Sequence, residues 1–153
     1  MYSKEEAKKL KQEFWTAYGQ YMALTPSADG ERVNWVNYKT GIKHLYFRMD
    51  ATNKVVTIAV EMTDPDAGIR QLMYDQFLEL KNVLHDTLEE EWIWDEVFYD
   101  EDGRKIARIW TSREKLSIFN KEHWPEIISF LKPRIVALDE FWSMAKYSFE
   151  IFK

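Results

Sequence analysis

Cysteine is absent from the 153 residues, which excludes structural disulfides, thiolate metal sites, iron–sulfur clusters and cysteine nucleophiles. Glycine is scarce and scattered, at Gly19, Gly30, Gly41, Gly68 and Gly103. No glycine-rich loop can therefore cradle a phosphate, and nucleotide binding has no motif behind it. A GxSxG nucleophile elbow is missing as well, which leaves a serine hydrolase without its turn. Long apolar runs are lacking too, because Lys132, Arg134, Asp139 and Glu140 cut the most apolar stretch, and a membrane-spanning helix is excluded. The amino-terminal run from Tyr2 to Glu13 is too charged for a secretory h-region. These absences point to a cytoplasmic protein without a cofactor.

What is present is apolar and aromatic. A hydrophobic content of 46% with 16% aromatic residues, seven of them tryptophan, supplies enough apolar area to offset the entropy of ordering the chain. The length suits a single domain over 1–153. A formal net charge of -5 favours solubility and opposes long-range attraction to phosphate backbones or anionic lipid.

Ser3 and Glu6 form a capping-box pattern that starts a first helix. Ala7, Leu10, Phe14, Ala17 and Tyr21 then recur at steps of three and four, which predicts one apolar stripe. From Val33 to Val60 the composition turns β-rich with period two, broken near Thr40-Gly41 and Thr52-Asn53, and predicts three antiparallel strands. A two-residue turn at Thr52-Asn53 sets Phe47 opposite Ile58, Leu45 opposite Val60, His44 opposite Glu61 and Arg48 opposite Thr57. Asp64-Pro65 opens a second helix carrying Ile69, Leu72, Met73, Phe77, Leu80 and Leu84. A second hairpin turns at Asp100-Glu101-Asp102-Gly103, with Asp95 facing Arg108, Val97 facing Ile106 and Trp94 facing Ile109.

After Trp124-Pro125 a long last helix keeps a seven-residue repeat through Ile128, Leu131, Ile135, Leu138, Trp142, Ala145 and Phe149, with a kink expected at Pro133. Its seam serves either the core, the preferred reading, or a homodimer. The element order is helix, three strands, helix, two strands, helix, which describes an α+β protein with an antiparallel sheet covered by helices.

One literal catalytic match exists: Pro65-Asp66 with Glu79-Leu80-Lys81 reads as the PD…(D/E)xK pattern of metal-dependent nucleases. Those carboxylates must share one divalent cation, yet both fall on one predicted helix, whose rise over that interval is about 20 Å. The match is read as chance, and neither catalytic nor metal-ligating residues are assigned. His44, His85 and His123 lie on different elements without metal-ligand spacing. The surface that stands out is the outer face of the first sheet, where His44, Tyr46, Arg48, Thr57 and Glu61 project together in the register above. Trp35 joins them in one register and packs beside Phe47 in the next. Such an aromatic and basic face can bind a peptide or stack bases.

Longer strings carry a family resemblance: Asn34-Trp35-Val36-Asn37-Tyr38-Lys39-Thr40-Gly41, His44-Leu45-Tyr46-Phe47-Arg48-Met49-Asp50, Trp92-Ile93-Trp94, and Phe119 to Pro125 through Leu138-Asp139-Glu140-Phe141-Trp142. Together they resemble the bacterial family called domain of unknown function 4268, over nearly the whole chain. The resemblance brings no catalytic residues. It implies that relatives form carboxy-terminal parts of larger proteins, some with a restriction-endonuclease-like portion, and hence a nucleic-acid context. The element order and acidic character are also similar to those of the dimeric chaperones of type III secretion, an analogy at the level of fold alone. The expected function is therefore a non-enzymatic protein-interaction module acting on a protein partner or on itself as a homodimer. An accessory role in a nucleic-acid system is the second reading, and a metal nuclease the last.

Overall fold

The computed structural model describes residues 2–153. Helix α1 (Lys4–Met22) starts as its cap predicts, the Ser3 hydroxyl oxygen accepting the Glu6 N–H at 3.1 Å. Its buried stripe is rotated from the expected one: Phe14, Tyr18 and Met22 are fully buried while Ala17 and Tyr21 are exposed. Residues four apart lie one above the other on a helix, and here the row with the larger aromatic and sulfur side chains faces the core.

Strands β1 (Leu45–Ala51), β2 (Val55–Met62), β3 (Ile93–Tyr99) and β4 (Lys105–Glu114) form an antiparallel sheet in the order β1-β2-β4-β3. The turn between β1 and β2 falls at Asn53-Lys54, because the Thr52 hydroxyl oxygen accepts both the Lys54 and Val55 N–H groups at 3.1 Å and Thr52 pairs with Val55. The register is therefore displaced by two residues from the expected one. Phe47 opposes Val60, Leu45 opposes Met62 and Arg48 opposes Ala59. A shift of two keeps every side chain on its predicted face and changes only its neighbours.

The strand expected over Val33 to Lys39 does not form. Ala23 to His44 is irregular and pinned by side chains instead of a ladder. The Asn34 side chain accepts the Asn37 N–H at 3.0 Å, a local turn that competes with strand pairing. Trp35 donates its indole N–H to the Thr25 carbonyl at 2.9 Å, and Tyr38 its hydroxyl to Asp139 at 2.6 Å. From the other side, Trp142 donates to the Thr40 carbonyl at 2.9 Å. The aromatic residues that imitate a strand pattern are the rivets of a strap.

The second helical region is two helices, α2 (Ala67–Glu79) and α3 (Lys81–Leu88), parted at Leu80. The cap is Asp66, whose Oδ1 accepts the N–H groups of Gly68 at 2.8 Å and Ile69 at 3.0 Å, so Pro65 lies just outside the helix. Met73, Phe77 and Leu84 face the core, whereas Ile69 and Leu72 are exposed. Helix α4 (Trp124–Ala145) runs past Pro133 without a break. Pro133 removes one donor to the Ser129 carbonyl, and both residues are exposed, where water can take the vacated acceptor.

The seam of α4 is core. Leu131, Ile135, Leu138, Trp142 and Ala145 are buried with Ile127, Phe130 and Phe141, and the cluster they join includes Phe47, Ile58, Val60 and Ile109 from the sheet and Phe14 from α1. All of this lies on one face of the sheet. Ala59 and Ile106 are buried yet stand outside that cluster, because their side chains point to the opposite face.

Candidate functional site

Among the described residues no helix covers the second face of the sheet. Strand alternation puts Tyr46, Arg48 and Asp50 of β1, Thr57, Ala59 and Glu61 of β2, and Arg108 and Trp110 of β4 on it together. One row crosses all four strands as Tyr46, Glu61, Arg108 and Asp95; the next runs Arg48, Ala59, Trp110 and Ile93. Ala59, small and central, leaves a depression between the larger side chains. A groove of about 680 Å³ lies over it, walled by Val36 to Tyr38 on one side and by the tip of the second hairpin on the other.

The hairpin reaches the groove because of a β-bulge. Asp95 opposes Arg108 and Trp94 opposes Ile109 as the sequence predicts, but between Asp95 and Phe98 the pairing slips, and Phe98, not Val97, opposes Ile106. The extra residue increases the local twist and exchanges two side chains. Val97 goes to solvent, and Phe98 comes over Arg108.

Charges in the groove are held by rings and by one another. Arg48 pairs diagonally with Glu61 at 3.2 Å and lies 4.3 Å from the centre of the Tyr46 ring. Arg108 lies 4.1 Å from the Phe98 ring centre and 4.5 Å from that of Trp110, the stacking that planar guanidinium favours. Asp95 does not pair with Arg108; its Oδ2 accepts the Trp110 indole N–H at 2.8 Å. Burial holds Arg108 below the usual arginine value, against the pull of Glu61, Asp95 and Asp50.

Glu61 has only 13% of its side chain exposed, and burial raises its carboxyl above the ordinary glutamate value; Arg48 and Arg108 pull it down, Asp100 and Asp50 push it up. The unfolded chain therefore loses this proton at lower pH than the folded protein does. Stability is unaffected by Glu61 below the unfolded value and falls as pH rises from there through the folded value. In urea unfolding between about pH 4 and pH 7, the wild type should lose stability relative to Glu61→Gln as pH rises. A difference that does not change with pH would show that burial leaves Glu61 unperturbed.

Of the residues expected at this surface, the structure brings together Tyr46, Arg48, Glu61 and Thr57. Trp35 is core, 3% exposed and beside Tyr38, which stacks on Phe47. His44 is not opposite Glu61: it precedes β1 with a left-handed φ of 64°, and its carbonyl accepts the Thr63 N–H at 2.8 Å. His85 accepts the Trp94 indole N–H at 3.0 Å and His123 accepts the Ser117 N–H at 3.0 Å, so both are spent on local structure. Asp66 and Glu79 stand at opposite ends of α2, with Asp66 engaged as its cap. Sequence reasoning missed Phe98, Arg108 and Trp110. The alternation Arg108, Trp110, Ser112 against Ala107, Ile109, Thr111 was the available signal for the last two.

Among known families, the one described as Domain of unknown function (DUF4268) matches residues 10–146, and the chain belongs to it. No curated protein and no solved structure matches the chain.

Proposed function

We propose that this member of the DUF4268 family is a non-enzymatic protein-interaction module, and that the open face of its sheet receives a segment of a partner polypeptide. The observation that carries the reading is the groove itself: a helix-free sheet face on which aromatic rings and ring-stacked arginines surround a depression at Ala59. Rigid aromatic and arginine side chains are the residues that dominate binding energy at protein interfaces. The same pattern could stack bases, the basis of the nucleic-acid reading, but Asp50, Asp100, Glu101 and Asp102 line this groove and repel a phosphate backbone. The seam of α4 is occupied within the protomer, which favours a different protein over a second copy of this chain as the partner, and we propose a bacterial, cytoplasmic setting for it. Light scattering at high micromolar concentration is expected to report a monomer.

A random peptide library displayed on phage and selected against the protein tests the reading. Tyr46→Ala and Arg48→Ala should each weaken the selected peptides about tenfold or more, with far-UV circular dichroism unchanged. Selected binding that survives both substitutions would place the interaction elsewhere. Oligo(dT) binding with steep salt dependence, lost in the same variants, would favour the nucleic-acid role.

A further inference from the structure

Arg108 occupies the centre of the charged row yet has no anion. The two carboxylates in register with it are committed elsewhere, Glu61 to Arg48 at 3.2 Å and Asp95 to the Trp110 indole at 2.8 Å. Among the described residues no ion pair reaches Arg108, and its Nε is a buried polar nitrogen without a hydrogen-bond partner. Its plane is already fixed by the rings of Phe98 and Trp110. A buried donor left without an acceptor is destabilising. With its plane held by the two rings, the guanidinium needs no further ordering to meet an acceptor at its Nη groups.

We propose that Arg108 is the anchor of a carboxylate-binding subsite, and that its occupant is an aspartate or glutamate side chain on an extended partner segment, flanked by lysine or arginine. The proposal rests on the polypeptide-binding reading above and names the chemistry of that partner. A carboxylate meeting the guanidinium end-on takes an N–H from each Nη together, a bidentate geometry that arginine favours. The charges select it. On the floor Arg48 pairs with Glu61, while Arg108 has only Asp95 beside it, a carboxylate bonded to the Trp110 indole, so an added carboxylate meets an arginine without a salt bridge. On the rim stand Asp50, Asp100, Glu101 and Asp102, which repel a second negative charge and attract basic side chains on either side of the first. A multiply charged phosphate ester satisfies the floor and fails at the rim.

The test uses the whole protein and a blocked pentapeptide, N-acetylated and C-amidated Lys-Val-Glu-Val-Lys, against the same peptide with Gln in place of Glu, followed by ¹⁵N NMR to about 5 mM. The Glu peptide should shift the Arg108 Nε–H resonance and the backbone amides of 46–50, 57–61 and 106–110. The Gln peptide should bind about tenfold or more weakly, as the loss of a charge-assisted bidentate contact requires. Arg108→Lys, which keeps the charge but not the fork, should shrink the difference between the two peptides, and Arg108→Gln, which removes the charge, should erase it. Equal binding of both to the wild type overturns the subsite and leaves the polypeptide reading standing. If neither peptide perturbs the outer face, both fail. A Gln peptide with a free carboxy terminus that binds as tightly as the Glu peptide overturns the assignment to a side chain, and oligo(dT) displacing the Glu peptide overturns the choice of a polypeptide.

Discussion

Asp139→Ala should destabilise the protein by about 2–4 kcal/mol, the cost of an orphaned buried hydroxyl together with a small cavity. Asp139 is 5% exposed in a core otherwise built of apolar side chains. Its Oδ1 accepts the Tyr38 hydroxyl at 2.6 Å and its Oδ2 the Ala28 N–H at 2.7 Å. Burial, reinforced by the hydrogen bond to Asp139, pushes the Tyr38 hydroxyl far above the usual tyrosine value. Alanine leaves the buried Tyr38 hydroxyl without an acceptor, at about 1–3 kcal/mol, releases the N–H of exposed Ala28, and opens a void where the carboxyl group stood. Asp139→Asn keeps one acceptor oxygen and should cost clearly less. A double-mutant cycle with Tyr38→Phe should show coupling of about 0.5–3 kcal/mol between the two positions. If urea unfolding of Asp139→Ala shows a loss below about 1 kcal/mol, the strap from Ala23 to His44 does not depend on this residue. The effect should also reach the groove, because Val36 to Tyr38 form one of its walls.

Phe149→Ala should cost a comparable amount, about 3–5 kcal/mol. Phe149 lies in the terminal 3₁₀ segment Lys146–Phe152, past residue 146 where the family match ends. It is nevertheless fully buried, with ring centres 4.6 Å from Phe77 and 5.2 Å from Trp142. Those contacts join α2 and α4 at the end of the core. Removing residues 147–153 takes away the same ring and should destabilise at least as much. A truncated chain with an unchanged urea midpoint would show that α2 and α4 hold together without it.

Periodicity carried much of this architecture. The cap at Ser3, both hairpins and the inward seam of α4 were legible because each rests on local chemistry or on a sustained repeat. The faces of β1 and β2 were legible for a different reason: an error of two residues in the turn leaves parity intact, so Tyr46, Arg48 and Glu61 were assigned to the correct face from an incorrect register. His44 was lost to that same error, since its expected partner is opposite Tyr46. The strap imitated a strand because Val33 and Trp35, then Val36 and Tyr38, are β-prone residues two apart, and only tertiary hydrogen bonds to Thr25 and Asp139 reveal Trp35 and Tyr38 as anchors. Phe98 was illegible because a bulge has no composition of its own; by strict alternation Val97 would have occupied its place. Arg108 was expected to face Asp95 and does, but that carboxylate is taken by an indole.

Helices on only one face of the sheet divide the sequence into two inheritances. Alternate residues of β1, β2 and β4 face the core, and changing them endangers the fold. The residues between them face the groove and, apart from Ala59 and Ile106, lie outside the buried interior. The groove-facing positions can therefore be rewritten with little loss of stability. A lineage built on this scaffold could exchange one partner for another by substitutions at Tyr46, Arg48, Arg108 and the hairpin tip, while the inward half of each strand stays as it is.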